Sequence, residues 1–322
     1  MRPQRSAGIG LALALVSAFT FGTSGTFARS LIDAGWSAEA AVAMRVGLAA
    51  VLLAIPAAWA LRGKLSVLRR NVRSVTVFGL LAVASAQVGF FNAVRYLPIG
   101  VALLLEYLGI ILVVIWMWAV HKQRPRALTV AGSIAAIAGL FLVLNLTGNT
   151  SLNIVGVLWG LWAAIGLAAY FVLSARVDPQ LPSVALASGG MAVGAVVLLA
   201  LGAIGLLPLR ATFGQVTFAG EQTSWLVPVL GLSLVAALIA YVAGIGAARI
   251  LGARLSSFVG LTEVVFAVLI AWLLLDELPT PVQLAGGLLI IAGVALVRAD
   301  ELRPSKHDDA TPDQIKPEMV SA

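Results

Sequence analysis

What the chain lacks narrows the chemistry that it can carry out. It contains no cysteine, which excludes disulfides, thiol nucleophiles and cysteine-ligated metals. Its two histidines, His121 and His307, lie outside the apolar segments described below, so neither could serve there as a base or a metal ligand. The sequence therefore predicts no metal site, no cofactor and no enzymatic activity.

Charged residues are scarce as well. They make up 11% of the 322 residues, against about 25% in an ordinary soluble domain, whereas 61% of the residues are hydrophobic. The apolar residues lie in blocks of about twenty, the length at which a helix crosses a lipid bilayer. The net charge of +7 does not indicate nucleic acid binding, because the basic residues recur in alternate loops instead of forming one patch.

Ten apolar segments are long enough, or nearly so, to cross a bilayer as helices. We take the first as a retained helix and not as a cleaved signal, because further spanning segments follow it at once. The predicted fold is therefore an all-α membrane protein with ten transmembrane helices. The segments cover residues 8–28, 38–61, 74–94, 98–120, 127–146, 152–173, 184–207, 225–247, 255–275 and 282–297.

The basic residues predict how these segments are oriented. If the N-terminus is cytoplasmic, seventeen lysines and arginines fall on the cytoplasmic side, and only Arg29, Arg95 and Arg210 fall on the other. Because positive residues collect on the cytoplasmic side, both termini are predicted to be cytoplasmic, in a plasma membrane or a bacterial inner membrane. Residues 300–322 mix charge, proline and serine without periodicity, which predicts a disordered cytoplasmic tail.

The sequence also repeats itself at a fixed spacing of 154 residues. Chance matching between apolar stretches accounts for aligned alanines and leucines, but less readily for matched arginine, tryptophan, proline and glycine. Five segments per half is an odd number, so the two halves, residues 1–147 and 148–299, are predicted to lie in opposite orientation across the membrane. The clearest matches are Arg95 with Arg249, Trp118 with Trp272, Pro125 with Pro279, Gly132 with Gly286 and Gly139 with Gly293.

Three charged residues interrupt the apolar segments: Arg45, Glu106 and Glu263. Each costs at least about 2.5 to 3.5 kcal/mol to place in a bilayer, so such residues usually face a bundle interior and mark a solute or proton path. At a rise of about 1.5 Å per residue they lie roughly 10 to 12 Å from the nearer segment end, around the middle of a core about 30 Å thick. We therefore expect all three at one central site.

Two interpretations remain open for each of these charges. Arg45 could bind a solute carboxylate, or it could form an ion pair with Glu106 that only fixes two helices. Glu106 could instead bind a solute ammonium or take part in proton coupling. For Glu263 no second buried cation is visible, so it is either a carboxyl that exchanges its proton, since burial disfavours the charged form, or a neutral carboxyl hydrogen-bonded for structure.

Further polar residues could complete the lining of such a site. Serine and threonine often bond to their own helix, and tyrosine often marks the membrane interface, so each candidate also has a structural interpretation. The candidates are Thr20, Thr23, Ser24, Gln87, Asn92, Tyr107, Tyr170 and Tyr241.

Three stretches, together with the five-plus-five plan, resemble a known family. They are VALLLEYLG at 101–109, LTEVVFAVLIAWLLLDELP at 261–279 and PVQLAGGLLIIAGVALV at 281–297. They look like the EamA-type permeases of the drug/metabolite transporter superfamily, and the Glu-Tyr-Leu-Gly element is similar to that of the threonine and homoserine exporter branch. The resemblance implies ten helices around a central cavity and export of amino acids or related metabolites. Ile110, and Val264 or Val265, stand where many relatives have proline.

The sequence thus predicts a secondary active transporter that exports a small-molecule solute by alternating access, with Glu263 and Glu106 as the candidates for proton coupling. A lipid-carrier flippase or a membrane scaffold is the alternative.

An intramembrane protease would need a base beside Ser24 in the Gly-Thr-Ser-Gly string at 22–25, and no histidine lies in a segment to provide one. The stretch 287–294 resembles the last helix of the small multidrug exporters, a candidate packing seam, and a homodimer is left open.

Overall fold

The computed structural model of this chain describes residues 2–94, 96–97, 99–122, 125–143, 153–275 and 278–301. Arg95, the predicted boundary between the halves at 147–148, and residues 302–322 of the predicted tail lie outside these ranges. The elements are α1 (Arg2–Gly22), α2 (Ser24–Asp33), α3 (Ala38–Ala60), α4 (Leu65–Phe78), the π-helix π1 (Gly79–Ser85), α5 (Ala86–Val94), α6 (Ile99–Tyr107), α7 (Gly109–His121), α8 (Ala127–Val143), α9 (Ile154–Arg176), α10 (Ser183–Ala203), β1 (Gln215–Phe218), β2 (Glu221–Ser224), α11 (Leu226–Leu230), the π-helix π2 (Gly231–Ile239), α12 (Ala240–Gly260), α13 (Thr262–Leu275) and α14 (Pro281–Glu301).

Most of these helices are strongly apolar. Within the described ranges, eight helices are long and apolar enough to cross a membrane, and two further apolar helices, Ala127–Val143 and Thr262–Leu274, are shorter. Large apolar side chains such as Ile55 and Leu273 are 80% and 76% exposed, an arrangement that lipid tails tolerate and water does not. Length, composition and exposure all agree with a multi-pass membrane protein.

Two helix ends differ from the sequence prediction. α4 begins at Leu65 and not at residue 74, because an amphipathic stretch rich in arginine extends the helix beyond its apolar part. α14 continues to Glu301, so Asp300, which we predicted to be in the tail, is helical and only 3% exposed. The Asp300 carboxylate accepts a hydrogen bond from the Thr129 hydroxyl at 2.5 Å, and this partner from a distant segment cannot be read from the local sequence.

A β-hairpin departs from the all-α prediction. β1 and β2 pair antiparallel, with Phe218 opposite Glu221, in the link between α10 and α11. The two-residue turn has positive φ at both positions, 51° at Ala219 and 81° at Gly220, which suits the twist of a tight hairpin. Alanine is an unusual residue for the first of these positions, so the local sequence gave only a weak signal for the turn.

Single residues interrupt the helical path at several places. Thr23, Leu108 and Leu261 each lie in a turn between two helices, and Gly252 has a φ of 80° inside α12. Glycine adopts this left-handed conformation at little cost. The bend at Gly252 falls in the gap that the sequence predicted between the eighth and ninth segments.

The two π-helices occupy matching places in the two halves of the chain. At the repeat spacing of 154 residues, π1 at Gly79–Ser85 corresponds to residues 233–239, which lie inside π2 at Gly231–Ile239. π-helical turns are rare and are frequently found at functional sites. Both precede a helix, α5 or α12, that contributes to the cavity described below.

Glycines bring α8 and α14 into close contact. A Cβ atom added at Gly132 would lie 2.7 Å from the Gly293 carbonyl oxygen, and one added at Gly139 would lie 2.5 Å from the Gly286 carbonyl oxygen. Residue numbers rise along one helix as they fall along the other, so the helices run antiparallel. Small residues allow this close backbone approach, so the candidate seam on α14 is used within the chain.

Candidate functional site

A cavity of about 880 Å³ lies at the centre of the helical bundle. Its walls come from both halves of the chain, chiefly from α1, α2, α3, α5, α6, α9, α12 and α13. All three intramembrane charges line this cavity, as the depth argument predicted. The candidate residues that line it are Ser24, Arg45, Gln87, Glu106, Tyr107, Tyr170, Tyr241 and Glu263.

The other polar candidates bond to their own helices and do not line the cavity. The Thr20 hydroxyl donates to the Val16 carbonyl oxygen at 2.7 Å, and the Thr23 hydroxyl donates to the Thr20 carbonyl oxygen at 2.7 Å. The Asn92 side-chain amide donates to the Val88 carbonyl oxygen at 2.8 Å. These contacts match the structural interpretation that the sequence left open for them.

The carboxyl groups of Glu106 and Glu263 each lie beside an interruption in the helical path. Glu106 lies at the end of α6, two residues before the turn at Leu108, and Glu263 lies in the first turn of α13, two residues after Leu261. The Leu108 N–H is shared between the carbonyl oxygens of Leu104 and Leu105, both at 3.2 Å, so the helix tightens locally instead of unwinding. Proline is therefore not needed for a break beside either glutamate.

Arg45 is held by two groups from distant segments. One terminal nitrogen, Nη1, donates to the Ser24 hydroxyl at 3.2 Å, and the other, Nη2, donates to the Ala236 carbonyl oxygen in π2 at 2.6 Å. The guanidinium also lies over the Phe21 ring, 5.7 Å from its centroid. Arg45 and Glu106, both described, do not form an ion pair, so the direct pairing considered from the sequence is wrong for this structure.

The surroundings of Glu263 also differ from the sequence prediction. Arg45, for which the sequence left a solute carboxylate or Glu106 as the partner, interacts electrostatically with both Glu106 and Glu263 across the cavity. Tyr107, the neighbour of Glu106 in the chain, lines the same cavity as Glu263. Glu263 therefore has a cationic neighbour, which could not be read from its own segment.

Aromatic rings form one wall of the cavity. Phe21 meets Tyr241 edge to face with centroids 5.2 Å apart, and Tyr241 meets Tyr170 in the same manner at 5.4 Å. Phe21 is a lining residue that the sequence analysis missed, because a phenylalanine in an apolar helix gives no signal of its own. It lies two residues before the turn at Thr23.

The Tyr170 hydroxyl is buried at this wall without a well-oriented hydrogen-bond partner. It lies against Gly244, where any added Cβ would collide with the hydroxyl oxygen. The nearby Ser17 hydroxyl donates to the Ala240 carbonyl oxygen at 2.8 Å. A buried unpaired hydroxyl is costly, so it is a candidate donor or acceptor for a bound molecule.

The cavity is open to the surface on one side and closed on the opposite side. It reaches the surface beside Asp33 at the end of α2, whose side chain is 70% exposed. On the far side α9 packs against α12, with the Phe171 ring next to Gly260. Access to the site in this conformation is therefore from the α2 side.

A polar cluster reinforces the closed side beyond the apolar helices. Arg249 donates to the Leu181 carbonyl oxygen at 2.6 Å, and the Asn71 amide donates to the Asp178 carboxylate at 3.1 Å. Hydrogen bonds from the Gln180 backbone N–H and from Asn71 lower the pKa of Asp178. These contacts connect α4, the link between α9 and α10, and α12.

Within the part of the chain that is described, no group of three or more His, Cys, Asp or Glu side chains is arranged to hold a metal ion. The charged, aromatic and carboxyl side chains that line the cavity can bind ionic and aromatic groups and can exchange protons.

Known proteins resemble this chain in sequence and in fold. The sequence profile of the EamA-like transporter family matches residues 8–145 and, separately, residues 154–299. The uncharacterized transporter YwfM of Bacillus subtilis (strain 168) is 31% identical over 163 residues, which cover 50% of this chain and 53% of that protein, so only about half of its length is matched. One solved crystal structure of a protein is similar over 91% of this chain and 99% of its own, with a TM-score of 0.75 and 19% identity, a likeness of fold alone.

Proposed function

The chain belongs to the EamA-like transporter family, and from this premise we propose that it is a secondary active transporter that exports amino acids or related small metabolites by alternating access. That it is a membrane transporter follows from the family, whose profile matches both halves of the chain. The direction of transport, the class of solute and the coupling to protons are our proposals. The Glu-Tyr-Leu-Gly element at 106–109 suggests the threonine and homoserine exporter branch.

One observation carries this proposal: ionisable side chains from both halves of the chain line a single cavity with aromatic walls. Arg45 and Glu106 come from the first half and Glu263 from the second. The volume of about 880 Å³ lies in the range of small-molecule sites and accommodates solutes larger than the smallest amino acids. A zwitterion with an apolar side chain fits such a lining.

Each charged residue has a role in this proposal. A solute carboxylate would bind to Arg45, replacing the contact with Ser24, and a solute ammonium would bind to Glu106. Glu263 would bind and release a proton as the site changes its side of access. Tyr107, Tyr170, Tyr241 and Gln87 would complete the solute contacts.

We further propose ten membrane crossings arranged as two inverted repeats with both termini cytoplasmic. The eight long apolar helices and the two shorter ones support this number. The antiparallel glycine contacts support the inversion, because a two-fold axis in the membrane plane would exchange the contact of Gly132 with Gly293 for that of Gly286 with Gly139. The matching π-helices support it as well.

Counterflow of radiolabelled amino acids in proteoliposomes tests the proposed function. Vesicles loaded with one unlabelled amino acid should accumulate the same labelled amino acid transiently, for at least one member of a panel of the twenty amino acids and homoserine. Protein-free vesicles and an Arg45→Ala variant serve as controls and should show no overshoot. Absence of counterflow across the panel, together with transfer of a fluorescent lipid between leaflets, would contradict the proposal in favour of the flippase alternative.

A further inference from the structure

α2 is attached to a part of the chain that is distant in sequence. α2 lines the cavity from Ser24 to Asp33 and is separated from α1 only by Thr23. α1 itself packs along α12 and α13, and Gly22 lies so close to α13 that an added Cβ would be 3.1 Å from the Glu263 carbonyl oxygen. α1 therefore packs chiefly along α12, whereas α2 packs against several elements, among them α11, α13, β1 and π2.

We name the link between α10 and α11, residues 204–225, the strap. Thr212 of the strap donates its hydroxyl to the Ala34 carbonyl oxygen at 2.6 Å and accepts a hydrogen bond from the Trp36 indole nitrogen on its own carbonyl oxygen at 2.6 Å. The Ser37 hydroxyl donates to the Pro208 carbonyl oxygen at 2.6 Å. These bonds fix the strap to the end of α2 and to the residues that follow it.

Apolar contacts extend this attachment along α2. Phe218 in β1 stacks on Phe27 with ring centroids 5.2 Å apart and an angle of 15° between the planes. The Phe27 ring also lies against Gly231 of π2, where there is no room for a Cβ. Val216 and Leu31 are 2% and 0% exposed at this junction. A buried apolar junction with several hydrogen bonds should move as one unit.

The strap is present in only one half of the chain. In the first half, the corresponding link between α3 and α4 consists of residues 61–64. A connection that short would also join the helices of the second half, so the extra residues have another use. Their contacts indicate that this use is to hold α2.

We propose that α2 and the strap, together with α11 and π2 that follow the strap, form one rigid gate, which turns at Thr23 and at the end of π2 to cover and uncover the mouth of the cavity; this inference rests on the transporter function proposed above. Ser17 on α1 bonds to Ala240, the first residue after π2, so this second turning point lies deeper than Thr23 by about six residues, roughly 9 Å along the helix. Arg45 connects the first residue of α2 to π2 through its bonds to Ser24 and Ala236. π-helical turns provide a natural point of bending.

Distances between spin labels test this gate, and the absence of native cysteine allows labelling without further changes. One pair, Asp33→Cys with Gln222→Cys, lies within the gate, and a second, Asp33→Cys with Leu284→Cys, spans the mouth to α14. In lipid nanodiscs, without solute and with saturating L-threonine or L-phenylalanine, the first distance should stay narrow and unchanged. The second should be broad or should shift between samples. Equal spread in both pairs, or fixed distances in both, would overturn the proposal.

Removal of the stacking contact provides a second test. Phe218→Ala should broaden the distance between positions 33 and 222, and Phe218→Tyr should restore it, whereas the exposed control Gln215→Ala should have no effect. A narrow distance in Phe218→Ala would show that the strap does not hold α2. Thr212→Val, which removes a hydrogen bond and no apolar contact, covers the case in which Phe218→Ala fails to fold. These distances are measured without transport, so failure of the counterflow experiment would leave the gate test valid.

Discussion

Arg45 shows how a single buried charge can be satisfied without an ion pair. Its guanidinium uses the Ser24 hydroxyl, the Ala236 carbonyl oxygen and the Phe21 ring, and it stays near two carboxyl groups without binding either directly. A planar group with several donors suits this arrangement, since it can contact three partners at fixed angles. A solute carboxylate would then compete with a neutral hydroxyl and not with a protein carboxylate.

Arg45→Lys tests whether geometry matters in addition to charge. Lysine keeps the positive charge, but its single ammonium cannot reach both Ser24 and Ala236 in the same orientation. We expect the initial rate of amino acid counterflow to fall about tenfold or more, the effect of losing roughly 1.4 kcal/mol of positioning. Arg29→Lys, in an exposed ion pair with Asp33, is the control and should keep the parental rate. A lysine variant with parental activity would mean that charge alone is sufficient.

Glu263→Gln tests the proposed proton coupling. Glutamine keeps the shape of the neutral carboxyl but cannot titrate, so exchange of solute should persist while accumulation driven by a pH gradient is lost. The comparison is between uptake with and without an imposed gradient in proteoliposomes. Glu106→Gln should reduce exchange itself, because Glu106 is proposed to contact the solute. Glu221→Gln, exposed in the hairpin, should change neither. Gradient-driven uptake that survives in Glu263→Gln would reject this residue as the coupling site.

At the residue level the sequence predicted which charges lie in the cavity but not which atoms they contact. Arg45, Glu106 and Glu263 stand out because charge inside an apolar segment is costly wherever the segment packs. Their partners depend on tertiary contacts: Ala236 is nearly two hundred positions from Arg45, and a backbone carbonyl carries no signal in the sequence. Phe21 was missed for a related reason, since its contact with Arg45 exists only in the folded chain.

Among the elements, the close contact of α8 with α14 offers a direct test of packing. An added Cβ at Gly139 would meet the Gly286 carbonyl oxygen at 2.5 Å and the Ile290 backbone nitrogen at 2.8 Å, and neither backbone atom can move without shifting the helix. Gly139→Ala should therefore destabilise the protein by about 1 to 3 kcal/mol and lower its thermal unfolding midpoint in detergent. Gly8→Ala, also in a helix but with open space around its Cβ, is the matched control. An unchanged unfolding midpoint for Gly139→Ala would mean that α8 and α14 can shift to accommodate the added methyl group at little cost.

The sequence predicted helix ends well where an apolar run stops at polar residues. It predicted poorly those features that depend on the local conformation of the backbone. The second apolar segment, 38–61, matches α3 at Ala38–Ala60, because a long apolar run ends where polar residues begin. The turn at Leu108, the π-helices and the hairpin leave no such trace. Each results from small backbone adjustments that packing stabilises, and the expected marker at Leu108, a neighbouring proline, is absent.

For the whole molecule, the central question is how the two halves are related across the membrane. The repeat and the cavity shared by both halves agree with an inverted pair, but the orientation was argued from charge alone. The two links that correspond in the repeat, residues 61–64 and the strap, differ in length and structure. Only the second half contains the strap, so the two halves would contribute differently to the proposed gate, which joins α2 of the first half to the strap of the second.

Cysteine labelling of these two links tests the inversion. Lys64→Cys and Gln222→Cys are exposed positions in corresponding links, and the parent chain has no cysteine to interfere. If five crossings separate the links, a membrane-impermeant maleimide added to intact cells should label Gln222→Cys and should spare Lys64→Cys, because the basic link is proposed to be cytoplasmic. Both variants should react once the cells are permeabilised, which controls for accessibility. Labelling of both positions in intact cells, or of neither, would place the links on one side and contradict the inverted repeat, whereas labelling of Lys64→Cys alone would keep the inversion and reverse the orientation.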